Sequence, residues 1–287
     1  MKTMKTTLLA SLFAAAPLLF IAPQAMAAPV IVNTALTNIG ANFDSIITGT
    51  GSTVSTAQVV RGQNIYNYLD NSGNAATVTV TRPISGAAAN PSRNGYSSGS
   101  QSLSGAVWDI GPQNAALGGS PAIPGYNNAG LTFTFSSPVN AFGFEIGDWA
   151  TCCMNLTRPA DVQAAYGVPA KGSGLWIAFD GGAATLPANA LTASDNPGYA
   201  ASRSYTNFIG AIDSSGFFSS LSFFGDGFGE VLYAGGTLRF ASVPQGSVGN
   251  DVPEPATAAL LGLGLLGMAG NTLRRRKSQK PLDAQSV

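Results

Sequence analysis

Apolar and polar residues alternate along much of this chain, in short runs closed by Gly, Pro, Asn or Asp. Residues 131–135 (LTFTF) alternate cleanly, residues 136–138 (SSP) interrupt, and residues 139–146 (VNAFGFEI) resume. Successive strand side chains point to opposite faces, so Phe142, Phe144 and Ile146 share one face and Gly143 and Glu145 the other. Glu145 is therefore expected to face solvent. Residues 175–179 (LWIAF), closed by Asp180, Gly181 and Gly182, predict a further strand. Residues 206–212, 217–224 and 230–240 complete a C-terminal set, and residues 76–81 (ATVTVT) alternate until Pro83. No sustained 3.6-residue apolar period is read. Residues 90–130 are turn-rich and predict long loops, with a strand around Ala106, Val107 and Trp108. The expected fold class is all-β, an antiparallel β-sandwich or jelly-roll-like body.

Both ends depart from this pattern. Lys2 and Lys5, the apolar residues 8–22 and the small residues Ala25 and Ala27 have the three-part order of a secretory signal peptide. Cleavage after Ala27 is expected, because cleavage after Ala28 would leave Pro29 first. At the other end, Val252 is followed by Pro253, Glu254 and Pro255, which cannot continue a strand or helix interior. Residues 256–273 then carry no charge. As a helix they span about 27 Å, close to a hydrocarbon core of about 30 Å. Arg274, Arg275, Arg276 and Lys277 follow and hold the C-terminus on the cytoplasmic side. The expected organisation is a signal peptide (1–27, a signal helix), a secreted domain (28–251), a sorting segment with a transmembrane helix (252–277) and a cytoplasmic tail (278–287).

Composition narrows the function. Only 10% of the 287 residues are charged, with 14 Lys plus Arg, 14 Asp plus Glu and no His. A soluble domain carries about 25%, so Ser, Thr, Asn, Gln and Gly must cover this surface. The neutral balance argues against a nucleic-acid partner. The absent histidine excludes Ser-His-Asp and Cys-His nucleophilic sites and His-ligated metals. The neutrality is itself composite: the predicted signal and tail are basic, and the body between them is mildly acidic.

Candidate chemistry is sparse. Calcium is the natural extracellular ion for oxygen ligands, and Asp148, Asp180, Asp226 and Glu230 fall at predicted strand ends. No DxDxDG run exists, however, and Asp beside Gly or Asn commonly forms turns. No other cofactor is expected. Glu145 and Glu230 are the body's only glutamates and the first carboxylate pair to test for glycoside hydrolysis. Trp108, Trp149, Trp176, Tyr96, Tyr126, Tyr199 and Tyr205 are the aromatic faces that could meet a sugar, with core packing as the alternative for Trp149 and Trp176. Cys152 and Cys153 are adjacent. A strained vicinal disulfide is favoured slightly over an intermolecular bridge or two free thiols, since neighbours do not easily reach ordinary disulfide geometry.

The tail, VPEP followed by an apolar segment and a basic cluster, resembles the PEP-CTERM sorting signal of Gram-negative bacteria. The resemblance covers residues 252–277 and implies two processing partners. Signal peptidase removes the leader, and an exosortase removes the tail near the Pro-Glu-Pro, releasing an inner-membrane-anchored precursor to the cell surface or extracellular matrix. About ten residues follow the basic cluster, more than that family usually has. Residues 131–240 also resemble the lectin-like β-sandwich body of many PEP-CTERM proteins, through "AFGF", "FIG" and "GDGF". Glu230 departs from that pattern, which often has Asp there. Together these imply a non-catalytic structural or adhesive protein of a biofilm matrix, with extracellular polysaccharide as a partner. A carbohydrate-binding module, calcium-assisted or not, is the second expectation. A carboxylate-dependent hydrolase is the third.

Overall fold

The computed structural model describes residues 29–70, 72–110, 129–152, 154–155, 157–225 and 231–248. The signal peptide with Ala25, Ala27 and Ala28, the sorting segment from Val252 to its basic cluster, Tyr126, Cys153, Asp226 and Glu230 lie outside them. Among the described residues no helix is long and apolar enough to cross a membrane.

The alternating segments pair into two six-stranded antiparallel sheets. Strands are numbered in chain order. The first sheet runs β1 (Val30–Thr34), β12 (Thr206–Ile212), β9 (Ala141–Gly147), β14 (Tyr233–Ala241) and β2 (Ser55–Gln58), and β7 (Val107–Asp109) also pairs with β14. The second runs β11 (Thr185–Ala190), β10 (Ser173–Phe179), β13 (Phe218–Gly225), β8 (Leu131–Val139), β4 (Ala75–Thr81) and β3 (Ile65–Leu69). A small hairpin joins β5 (Ser97–Ser98) to β6 (Gln101–Ser102).

One core lies between the two sheets, as the period-two pattern requires. Phe142, Phe144 and Ile146 of β9 meet Phe133 and Phe135 of β8 and Phe223 of β13 there. Phe133 sits 4.8 Å from Phe142 and Phe144 sits 4.9 Å from Phe223, ring centre to ring centre. The second sheet keeps hydroxyls outside: Val78, Val80, Phe133 and Phe135 are buried, while Thr77, Thr79, Thr132 and Thr134 on the alternate positions retain exposure.

Short helical segments depart from the sequence expectation, and two of them cover the sheets. Residues 36–49, ending in α1 (Ser45–Gly49), are helical and cover the outer face of the first sheet. Leu36, Ile39, Phe43 and Ile47 recur at three, four and four residues, which is a helical period. Phe43 packs edge-on to Phe208 at 4.9 Å. On the outer face of the second sheet, α2 (Ala160–Tyr166) covers Trp176 through Val162 and Tyr166. This explains why β10 is buried almost throughout, with no alternation.

The connections give the sandwich two distinct ends. At one, β8 turns into β9 at Asn140, β12 turns into β13, and Val30 of β1 pairs with Ile212. The described chain also leaves here: Ser214 Oγ donates to the Val248 carbonyl and the Gly246 N–H to the Ser214 carbonyl, both at 2.8 Å. Asn140 latches this exit end. Its Nδ2 donates to the Val243 carbonyl (2.9 Å), and the Val243 N–H donates to its Oδ1 (2.7 Å). At the far end, Gly147 of β9 lies between Thr206 and Tyr233. Seven residues of β9 at about 3.4 Å each separate the ends by about 20 Å.

Candidate functional site

A polar cleft lies on the outer face of the first sheet. It arises from an irregularity in β14. Gly235 pairs with Glu145, but the next pair is Arg239 with Gly143, so four steps on β14 oppose two on β9. Gly236 sits in the bulge with φ 67°, and a β-carbon there would collide with the Glu145 carboxylate. Glycine supplies both the left-handed backbone and the space.

Glu145 occupies that space. Its parity is as the alternation predicts, away from the aromatic face, but it does not face solvent: residues 103–105 fold over it and leave it 4% exposed. Its Oε2 accepts the Ser104 N–H (2.7 Å), and its Oε1 accepts the Ser104 hydroxyl (2.5 Å) and the Thr237 N–H (3.3 Å). A buried carboxylate is tolerable because donors converge on it.

Arg239 stands beside it on the next strand. Its Nε donates to Asp44 Oδ1 at 3.1 Å, and its guanidinium lies 5.8 Å from the Phe208 ring centre. Its Nη1 is buried and has no hydrogen-bond partner among the described residues. Leu36, Thr37 and Ile39 wall the cleft on one side and Gln101, Ser102 and Ser104 on the other, over a floor of Glu145, Thr237 and Arg239. Its volume is about 330 Å³. One guanidinium against two carboxylates disfavours an anionic ligand. The mixture of hydroxyls, amide and guanidinium suits a neutral polyhydroxylated one.

Two tyrosine stacks mark the far end. Tyr96 stacks on Tyr233 at 5.1 Å with the Arg93 guanidinium 4.8 Å from the Tyr233 ring. Tyr199 packs on Tyr205 at 4.8 Å with Arg203 5.0 Å from Tyr199. The Tyr96 hydroxyl donates to Asp148 Oδ1 at 3.1 Å. Burial pushes the Tyr96 phenol well above its ordinary value, and the neighbouring Asp148 adds to this. Burial also raises the Asp148 carboxyl. The turn beyond is contorted, with φ 64° at Asp148 and 65° at Ala150. Cys152, at its tip, is disulfide-bonded, and the chain's other cysteine is Cys153.

The remaining expectations fare differently. Asp148 and Asp180 are not brought together: Asp148 is at the far end, whereas Asp180 is at the exit end and accepts the Ser219 (2.8 Å) and Ser220 (2.9 Å) N–H groups. Each closes a turn, the ordinary work of Asp beside Gly or at positive φ. Among the described residues no three potential acidic or thiol ligands cluster for a metal. None of the three tryptophans offers a face to a sugar. Trp108 donates to the Ala89 carbonyl (2.7 Å), Trp149 to the Ser173 carbonyl (3.3 Å), and Trp176 stacks on Phe224 at 6.1 Å, all of them buried. Burial takes their faces away: Trp108 and Trp149 lie between the sheets and Trp176 lies beneath α2.

Arg239 and Ser104 were not singled out by sequence reasoning. The adjacent Gly235 and Gly236 inside a strand pattern were the available signal, since such a pair marks a bulge or close backbone approach. Arg158 was also missed. It is 2% exposed and donates to the Pro169 (2.7 Å), Lys171 (2.9 Å) and Gly172 (3.0 Å) carbonyls and to Asn189 Oδ1 (2.5 Å). It pins the loop that carries α2.

Comparison with known proteins adds the address. Residues 251–277 match the PEP-CTERM protein-sorting motif. The chain is thus an exosortase-sorted exported protein, membrane-anchored before processing. No curated protein and no solved structure matches it.

Proposed function

We propose that the exported body is a non-catalytic surface or matrix component held within extracellular polysaccharide, freed to that place by signal peptidase and exosortase cleavage. The observation that carries this is the sorting motif at residues 251–277 behind a body with few charges. The hydroxyl-bearing outer face of the second sheet supports it, since Thr77, Thr79, Thr132 and Thr134 offer hydrogen bonds without counterions. Replacing Pro253, Glu254 and Pro255 by alanine should leave the body in the inner-membrane fraction. Normal release of that variant would sink the sorting half of the proposal.

A second reading is favoured by the cleft: a carbohydrate-binding module that takes a neutral glycan between residues 36–39 and 101–104. Its support is the open polar floor of Thr237 and Arg239. Arg239→Ala should lower co-sedimentation with the cell's own exopolysaccharide while the far-end variant Arg203→Ala leaves it unchanged. Equal retention of both variants would remove the cleft from consideration. Hydrolysis has less behind it, because Glu145 is already held by three donors.

A further inference from the structure

The exit end of the sandwich also has a chemistry of its own. Phe217 and Leu69 are 53% and 57% exposed and border a single hollow there, beside residues 241–245. Large apolar side chains left this open at neighbouring positions ask for a partner. Asp70, Asp180 and Asp213 surround them at the same end. The Lys and Arg residues of the described body lie elsewhere: Arg61, Arg82, Arg93, Arg158, Lys171 and Arg203 towards the far end, and Arg239 two residues in from Ala241 and paired with Asp44.

Chain geometry says what can reach this end. Val248 is hydrogen-bonded to Ser214, and the uncharged stretch begins at Ala256. Eight residues at full extension span at most about 29 Å. The headgroup layer on one side of the hydrocarbon core takes up about 5–7 Å of that distance. The far end stands about 20 Å further along the strands. The N-terminal strand starts at the same end, because Val30 pairs with Ile212. Because the tether leaves from this pole, where the first strand also starts, this pole stays within about 22–24 Å of the headgroup surface, whereas the far end is not so confined.

We propose that in the anchored precursor the exit end faces the membrane, with Phe217 and Leu69 resting on the lipid surface and the two tyrosine stacks held outward. This rests on the anchoring implied by the sorting motif. The occupant is lipid with little net charge. Among the described residues this end carries three Asp carboxylates and no Lys or Arg side chain, an excess of negative charge that one α-ammonium on a chain cleaved after Ala27 does not cancel, so it opposes anionic headgroups; contact tightens on zwitterionic lipid and loosens as phosphatidylglycerol is added.

The test uses the full chain on phosphatidylcholine vesicles with brominated acyl chains. One tryptophan is added at a time: Phe217→Trp or Leu69→Trp at the exit end, Tyr199→Trp at the far end. Trp108, Trp149 and Trp176 are buried and give a constant background. Brominated lipid should lower the added fluorescence about twofold at 217 and 69, as for side chains seated in the interface, and leave 199 unquenched. Phosphatidylglycerol should relieve the quenching. Equal quenching at all three positions, or none at 217 and 69 in a chain that floats with the vesicles, overturns the proposal. A chain that does not float shows that the anchoring itself is wrong, and the proposal falls with it. Should Phe217→Trp not fold, Gln245→Trp on the same rim serves in its place.

Discussion

The two ends of the sandwich solve the problem of closing strands in different ways. The exit end uses small polar residues that bond to backbone: Asn140 holds Val243 reciprocally, Asp213 takes the Ser215 N–H at 2.8 Å, and Asp180 takes two N–H groups. The far end uses bulk. It collects stacked tyrosines, arginines above their rings, a buried tryptophan under a positive-φ turn, and the disulfide at Cys152. The exit end is a clasp for the chain. The far end is a packed cap of rings and guanidinium groups.

The sharpest way to break this comparison is Arg158→Met on the far half. It removes four hydrogen bonds from a charged donor, of which the one to the Gly172 carbonyl is buried, and should cost about 3–5 kcal/mol, measured by urea unfolding. A loss below about 1 kcal/mol would show that the loop holds without its pin. Next comes the clasp. Asn140→Ala leaves the N–H and carbonyl of Val243 unpaired, for an expected loss of about 2–4 kcal/mol, and hydrogen exchange should quicken first at Val243. If exchange quickens first at Gly147, the clasp is not what secures this end.

Acid separates the ends by sign. At the exit end, backbone N–H donation from Asn74, with help from Ser72, holds the Asp70 carboxyl below its ordinary 3.8. Its folded value is lowered, so its contribution is present above the unfolded value and disappears as pH falls through the folded one. At the far end, burial raises Asp148 above 3.8. Its contribution is therefore complete below the unfolded value and is lost as pH rises through the folded one. Asp70→Asn should flatten the fall in stability at the acid extreme, and Asp148→Asn should stabilise at neutral pH. Unfolding curves across pH 3–7 test both, and like-signed responses would refute the contrast. The smallest expected effect is Phe217→Ser, within about 0.5 kcal/mol. A large loss by thermal melt would mean that Phe217 is core and not surface.

Sequence pattern made much of this fold legible. The alternation of residues 131–135 and 139–146 became β8 and β9 with Phe133, Phe135, Phe142 and Phe144 inward. It fell short where a covering segment comes from far along the chain. Glu145 has the outward parity expected, but Ser104 reaches it from 41 residues away. The helical cover at Leu36, Ile39, Phe43 and Ile47 was readable as a short period and was lost among strand signals. Trp108 and Tyr96 look alike as candidates in sequence. Only the pairing of β7 with β14 puts one in the core and leaves the other half-buried.

The position of β14 has a consequence for timing. It is the last of the described strands, yet it lies inside the first sheet, between β9 and β2. Until Tyr233 to Ala241 have emerged on the outer side, β9 has an unpaired edge and β2 has no neighbour. Export delivers a chain from its N-terminus, so this domain cannot finish folding early and jam behind itself. Folding can be completed only after nearly the whole body has crossed. Closure of the first sheet therefore cannot precede the export of Ala241, and the sorting motif follows ten residues later.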